Sequence, residues 1–173
     1  GGQTVYGLPA GFRVLGSGYI LGIPVPSIIA LAVITVTWLF LNRTRFGRYL
    51  YAIGGNPEAA RLSGINVPNY TMLAYLYCGC LAGLNAVLLA SRVNSGQPNL
   101  GAGLELDAVA AVVIGAVPLS GGQGKLSGVL MGSLILGILS NGCDLLNISS
   151  FVQMIIIGAI IVLAVLIDKY RRS

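Results

Sequence analysis

The run from Tyr70 to Ser91 constrains the fold most strongly, because its 22 residues include no charge. A helix needs about 20 predominantly apolar residues to cross the hydrocarbon core of a bilayer, so this run predicts a membrane-spanning helix. The rest of the chain has the same character. Of its residues 55% are hydrophobic and only 9% are charged, whereas soluble domains carry about 25% charged residues. The sequence therefore predicts an integral membrane protein.

Four further apolar segments flank this run. Together they predict an all-α, polytopic integral membrane helical bundle with about five transmembrane segments, some short or broken: 19–41, 70–91, 104–118, 126–141 and 150–167. Segment 104–118 would extend only about 22 Å at 1.5 Å per residue, which is short for a straight crossing. Two spans over 104–141 and a re-entrant hairpin over the same residues therefore both stay open.

Arginine and lysine are concentrated in two polar stretches, residues 42–69 and 168–173. Cytoplasmic loops of membrane proteins carry an excess of these residues. We therefore expect a cytoplasmic loop at 42–69 and a cytoplasmic tail at 168–173. The loop at 92–103 and the glycine-rich loop at 1–18 are then expected to be external.

The cytoplasmic loop contains the signals of a complete short helix. Asn56 suits the N-cap, Pro57 the first helical position and Glu58 the positive end of the helix dipole. Gly64 is a natural left-handed stop, so the sequence predicts a helix from about Pro57 to Ser63. A helix of roughly two turns is marginal alone in water and needs a surface to lie against, which suits the docking of a soluble partner.

Small and polar residues within the apolar segments bear on packing and on transport. Glycines spaced four residues apart let helices approach closely, and such stripes occur at Gly79 and Gly83 and at Gly124, Gly128 and Gly132. Polar side chains in a bilayer are costly and commonly functional, which makes Asn85 and Asn141 candidates for lining a pathway. For Asn85, a hydrogen bond between helices is the alternative.

Several residue types needed for catalytic and binding sites are missing. The chain has no histidine, which excludes Ser/His/Asp and Cys/His arrangements and leaves the three cysteines too few ligands for a metal site. The run ending at Lys125 departs from the phosphate-binding pattern G-x-x-x-x-G-K-[ST], because Leu119 and Leu126 stand where Gly and Ser or Thr are needed. We therefore predict no enzyme activity, no metal, no cofactor and no nucleic-acid binding for this chain.

Several segments closely resemble the permease subunits of ribose-type (monosaccharide) bacterial ABC importers. The resemblance covers essentially the whole chain and rests on motifs in the same order: Thr44–Arg48, Ala52–Ile65, Leu106–Gly115, Ser120–Gly124, Gly128–Gly132, Leu139–Gly142 with Asp144–Leu146, and Gly158. Permeases of this family have about twice as many spans as this chain offers. The resemblance therefore implies that the chain is the C-terminal half of such a transmembrane domain.

The resemblance also implies a function and a set of partners. The chain would belong to a permease subunit of an ATP-driven importer of a sugar or sugar-like small molecule, in the bacterial inner membrane. Its partners would be cytoplasmic ATP-binding subunits, a second permease subunit (homo- or heterodimer), a periplasmic sugar-binding protein and the lipid bilayer. Arg13 and Arg92 would meet acidic residues of the binding protein. The coupling helix that receives the motion of the ATPase would be formed by Asn56, Pro57, Glu58, Ala59, Ala60, Arg61, Leu62, Ser63 and Gly64.

Two other classes of protein stay open, an ion-gradient-driven secondary transporter and a non-transporting membrane scaffold. A secondary transporter would favour acidic residues within the membrane as an ion relay, and the segments offer little of that kind beyond Glu105 and Asp144. The capped cytoplasmic helix favours an ATPase-coupled permease over both alternatives. The sequence leaves open which sugar is carried.

Overall fold

The computed structural model describes residues 4–7, 9–118 and 120–172. Two short antiparallel strand pairs occur in this part of the chain, β1 (Val5–Tyr6) with β4 (Ser95–Gly96) and β2 (Tyr19–Ile20) with β3 (Ile23–Pro24). The same residues form eight helices: α1 (Ala10–Ser17), α2 (Val25–Arg43), α3 (Arg45–Gly55), α4 (Pro57–Leu62), α5 (Val67–Val93), α6 (Leu104–Ile114), α7 (Leu126–Leu145) and α8 (Ser150–Arg172).

Three of the described helices are long and apolar enough to cross a membrane: α2 with 19 residues, α5 with 27 and α7 with 20. α8 contains a shorter apolar stretch, Ser150–Leu163. α6 has 11 residues, so it extends about 16 Å at 1.5 Å per residue, roughly half of a hydrocarbon core about 30 Å thick. The prediction of an all-α membrane bundle with short segments is confirmed.

The chain separates by its internal contacts into two compact units. One consists of Gly1–Ile53 and Pro57–Ala102, and the other of Gly54–Asn56 and Gly103–Ser173. The first unit contains α1, α2, α4, α5 and most of α3, and the second contains α6, α7 and α8.

The prediction of a loop over residues 1–18 was wrong for residues 10–17, which form α1; residues 1–3 and 8 lie outside the described residues. Two glycines in eight residues conceal this helix in the sequence, since each disfavours helix by about 1 kcal/mol. One of them, Gly16, is where α1 meets α5: a Cβ there would lie 2.6 Å from the Ser91 carbonyl carbon. The Ser91 hydroxyl donates a hydrogen bond to the Phe12 carbonyl oxygen at 2.5 Å. Tertiary packing therefore outweighs the low helix propensity.

The polar stretch 42–69 contains a second helix, α3, that the sequence did not predict. Its two arginines conceal an aromatic face, in which Phe46 and Tyr49 both contact Tyr70 of α5, with ring centroids 5.9 and 5.0 Å apart. Phe40 of α2 joins this cluster through Phe46 and Tyr77. The Phe46 and Tyr49 pair has the three-residue spacing of a helix face, and this spacing is the signal that could have revealed α3.

The helices of the second unit pack through small residues. Ala110, Ala111, Leu136 and Ile157 form a buried cluster shared by α6, α7 and α8. A Cβ at Gly115 would lie 2.6 Å from the Gly128 carbonyl oxygen, and one at Gly132 would overlap the Ala111 carbonyl oxygen. α6 and α7 therefore approach backbone to backbone.

The glycine stripes predicted for helix packing have two different outcomes. The stripe of α7 is confirmed at Gly128 and Gly132, where the backbone of α6 occupies the space that a side chain would need. For Gly79 and Gly83 of α5 the prediction stays untested: a Cβ at either position meets no atom of the described residues within 4 Å, and the chain spans about half the length of its relatives.

Several segment ends also differ from the sequence prediction. α2 begins at Val25 instead of residue 19, because the residues before it form β2, β3 and their turn. α5 begins at Val67 because the Asn66 side chain accepts a hydrogen bond from the Asn69 amide at 3.3 Å, as an N-cap residue does. α8 continues to Arg172, so most of the predicted tail at 168–173 is helical; residue 173 lies outside the described residues.

Candidate functional site

The predicted short helix is present as α4, Pro57–Leu62. Its end forms a complete Schellman motif, in which the amide of Ile65 donates to the Ala60 carbonyl oxygen at 3.1 Å and that of Gly64 to the Arg61 carbonyl oxygen at 3.0 Å. Gly64 has a φ of +82°, a conformation that glycine adopts with little steric cost. The predicted left-handed stop at Gly64 is therefore confirmed, and the helix ends within a residue of the predicted position.

The side chains of α4 divide into an inward and an outward set. Ala60 is 4% exposed, and α4 contacts α5, so Ala60 anchors the helix to its own chain. Glu58 and Arg61 are both well exposed and form an ion pair at 2.8 Å. Leu62 is 80% exposed, so the helix presents one large apolar side chain next to this ion pair.

The nine residues expected to form the coupling helix, 56 to 64, differ in their exposure. The exposed members are Asn56, Pro57, Glu58, Ala59, Arg61, Leu62, Ser63 and Gly64, and the buried member is Ala60. The exposure of Leu62 and the burial of Ala60 were not predicted from the sequence.

Arg13 and Arg92 lie on two elements that the structure brings together. Arg13 follows Phe12 in α1, and Arg92 follows Ser91 near the end of α5. The hydrogen bond between the Ser91 hydroxyl and the Phe12 carbonyl oxygen joins these two helices. Both arginines are exposed, so the α1–α5 junction presents two positive charges on the surface of the first unit.

The two candidate pathway residues lie in different units. Asn85 is exposed near the middle of α5 in the first unit. Asn141 is exposed on α7 in the second unit, where it borders an open groove of about 440 Å³. The groove runs along one face of α7 and is lined by Ser133, Leu134, Gly137, Ile138, Asn141, Gly142 and Leu145. This face of α7 therefore combines small and polar side chains with apolar ones.

Residues 1–165 match the family described as "Branched-chain amino acid transport system / permease component". The chain belongs to this permease family. Among its relatives, the ribose import permease protein RbsC of Bacillus subtilis (strain 168) is 47% identical over 170 residues, covering 98% of this chain and 53% of that protein. RbsC of Escherichia coli (strain K12) is 48% identical over 161 residues, covering 93% of this chain and 50% of that protein.

A third permease of the family has a different sugar in its name. The xylose transport system permease protein XylH of Haemophilus influenzae is 46% identical over 165 residues, covering 92% of this chain and 44% of that protein. The chain therefore spans about half the length of the curated relatives that it matches. No solved structure gives a significant match to this chain.

These findings confirm the resemblance to ribose-type permeases. The relatives are permease subunits of transport systems and are not themselves enzymes. Together with three helices long enough to cross a membrane, membership of this family makes the chain part of a multi-pass membrane permease.

Proposed function

We propose that this chain forms part of the transmembrane subunit of an ATP-driven importer of a sugar or sugar-like small molecule. ATP hydrolysis would take place in a partner subunit, and α4 would pass the motion of that subunit to the membrane helices. The ribose and xylose permeases among its relatives support the choice of a sugar. The proposal includes the bacterial inner membrane as the location, with the arginine-rich residues 42–69 on the cytoplasmic side.

The geometry of α4 is the single observation that carries the coupling role. Its Schellman motif and the burial of Ala60 fix the helix to its own chain. The opposite side presents an apolar side chain, Leu62, next to the ion pair of Glu58 and Arg61. Complete burial of a leucine contributes about 1.5–3 kcal/mol, and the buried core of a protein interface is more apolar than its polar rim. A groove on an ATPase subunit is a suitable receptor for such a helix.

The external partner would be a periplasmic sugar-binding protein. Arg13 and Arg92 are exposed on the two helices joined at the α1–α5 junction, and positive charges on a surface attract a partner that carries acidic residues at the matching positions. Asn85 and the groove beside Asn141 are the candidates for lining the pathway, since exposed amides on membrane helices can replace hydrogen bonds of a sugar to water. A second permease subunit, identical or different, would complete the pathway.

The docking role of Leu62 is tested by placing a charge at the proposed anchor. In the intact permease, co-expressed with its ATPase, Leu62→Asp should lose ATPase co-purification, because an unpaired carboxylate at a desolvated contact is costly. The permease should remain folded, since Leu62 is 80% exposed. Leu62→Met is the matched control and should retain the ATPase, because it conserves volume and apolarity.

Two outcomes would contradict this proposal. If Leu62→Asp retains as much ATPase as Leu62→Met, α4 is an ordinary surface helix. If sugar uptake into reconstituted vesicles persists without ATP but stops when the ion gradient is removed, the permease is a secondary transporter. A charge placed at Ala60 would not test docking. Ala60 is buried within the chain, so Ala60→Arg should disrupt the fold itself.

A further inference from the structure

Gly54 and Gly122 meet backbone to backbone within the second unit. Gly54 lies next to the last residue of α3, and Gly122 lies in the connection between α6 and α7. A Cβ at Gly54 would lie 2.5 Å from the Gly122 nitrogen and 2.9 Å from its Cα. A Cβ at Gly122 would lie 2.5 Å from the Gly55 nitrogen and 2.6 Å from its Cα. Neither residue can carry a side chain without moving the backbone of the other.

The connection around Gly122 is held to both helices of the hairpin. The amide of Val117 donates to the Val112 carbonyl oxygen at 3.2 Å, which closes the end of α6, and the amide of Gly121 donates to the Pro118 carbonyl oxygen at 3.1 Å. Gly122 has a φ of +73°, which favours glycine in addition to the steric contact. Gly115 of this connection lies against Gly128 of α7. The connection that carries Gly122 is therefore attached by backbone contacts to the end of α6 and, through Gly115, to α7.

The other half of the contact is joined directly to α4. α3 ends at Gly55 and α4 begins at Pro57, so Asn56 alone separates the two helices along the chain. Pro57 fixes its own φ and restricts the backbone of Asn56 before it. The link from α4 to Gly54 is thus short and stiff.

We propose that the contact between Gly54 and Gly122 is the point where movement of α4 enters the α6–α7 hairpin. The inference rests on the proposed function of α4 and adds the route by which ATPase motion reaches α7, which carries Asn141 and its groove. Gly54 and Gly122 are positioning residues in this route. They align the hairpin with α4 and contact neither nucleotide nor sugar.

The test compares Gly54 and Gly55, neighbouring glycines that differ in the space around their Cβ position; Gly122→Ala, at a φ of +73°, changes both the contact and the backbone preference. Gly54→Ala and Gly122→Ala push the two backbones apart, whereas a Cβ at Gly55 meets no atom within 4 Å. Gly55→Ala, on the same helix turn, is therefore the matched control. Each variant of the intact permease is assembled with its ATPase and binding protein in lipid vesicles. Basal ATP hydrolysis, its stimulation by sugar-loaded binding protein, and sugar uptake are measured together.

We expect uncoupling in the two contact variants. Gly54→Ala and Gly122→Ala should retain the ATPase and its basal hydrolysis, but uptake and stimulation should fall by about tenfold, within the roughly 5–150-fold typical of coupling between sites. Gly55→Ala should behave as the wild type. Insertion of one glycine between Gly55 and Asn56 adds no side chain and lengthens the link, so it should uncouple transport even if the alanine variants fold poorly.

Three results would overturn the inference. Equal uptake by Gly54→Ala and Gly55→Ala, with normal uptake by the insertion variant, would make the contact irrelevant to transport. A parallel loss of basal hydrolysis and uptake would make it a structural contact only. If the wild-type permease binds no ATPase, the proposed function of α4 fails first, and the inference fails with it; the co-purification step separates that result from the other two.

Discussion

The close approach of α6 and α7 at Gly132 makes a quantitative prediction about stability. A Cβ at Gly132 would overlap the Ala111 carbonyl oxygen and would lie 2.8 Å from the Gly115 nitrogen and 3.1 Å from the Ala111 carbonyl carbon. All three atoms belong to the backbone of α6 or its end, so no side-chain rotation can make room. Gly132→Ala must therefore move one helix relative to the other.

The expected cost follows from the nature of this contact. Overpacking a well-packed site costs about 1–3 kcal/mol. Gly137 lies five residues further along α7, and a Cβ there meets no atom within 4 Å. Gly137→Ala should stabilise the helix by about 0.5–1 kcal/mol, because alanine has less conformational entropy to lose than glycine. The two variants should then differ in free energy of unfolding by about 1.5–4 kcal/mol, the sum of these two effects.

This difference is measurable as thermal stability of the intact permease in detergent. The intact relatives are about twice the length of this chain, and at about 2.1 cal/mol/K of unfolding entropy per residue a change of 1 kcal/mol shifts the melting temperature of such a protein by about 1.5 °C. Gly132→Ala should therefore melt at least about 2 °C below Gly137→Ala. Because membrane proteins often unfold irreversibly, both variants are heated at the same rate. Equal melting temperatures would refute the argument that the α6 backbone fills the space at Gly132.

Two further predictions concern orientation and the packing of α1. Cysteines placed at Arg48 and Gln97, after replacement of the native cysteines, should react with an impermeant maleimide only from the cytoplasmic and only from the external side, respectively; labelling of position 48 in intact cells would overturn the assignment. Ser91→Ala removes the hydrogen bond to the Phe12 carbonyl oxygen and should lower the free energy of unfolding by about 1 kcal/mol. Ser17→Ala, which removes an exposed bond within α1, should have a smaller effect, and equal effects in a melting experiment would show that the α1–α5 contact contributes little.

The candidate site was predictable where its signals lie within a few consecutive residues. Pro57, Glu58 and Gly64 follow local rules for beginning and ending a helix, and α4 has the predicted position. The orientation of that helix was not predictable, because the burial of Ala60 and the exposure of Leu62 depend on contacts with α5. The role of α4 as a coupling helix stays a prediction, as does the assignment of the chain to the C-terminal half.

α1 and α3 show why parts of the fold could not be predicted. α1 forms although two of its eight residues are glycine, because Gly16 allows close contact with α5. α3 forms in a basic stretch because Phe46 and Tyr49 pack on Tyr70. In both cases the stabilising partner is distant along the chain, so a local sequence pattern does not reveal the helix.

The sequence by itself determined that this is a helical membrane protein of a permease family, because apolar runs of sufficient length have few other stable folds in a bilayer. Only the tertiary structure decided which side of each helix meets protein. Lipid and protein interiors are equally apolar, so the hydrophobic pattern does not distinguish them. Gly83 and Gly132 are the same residue in similar surroundings along the chain, yet a Cβ at Gly83 meets nothing and one at Gly132 meets the backbone of α6. The difference arises from where the neighbouring helix lies, and that is a property of the fold.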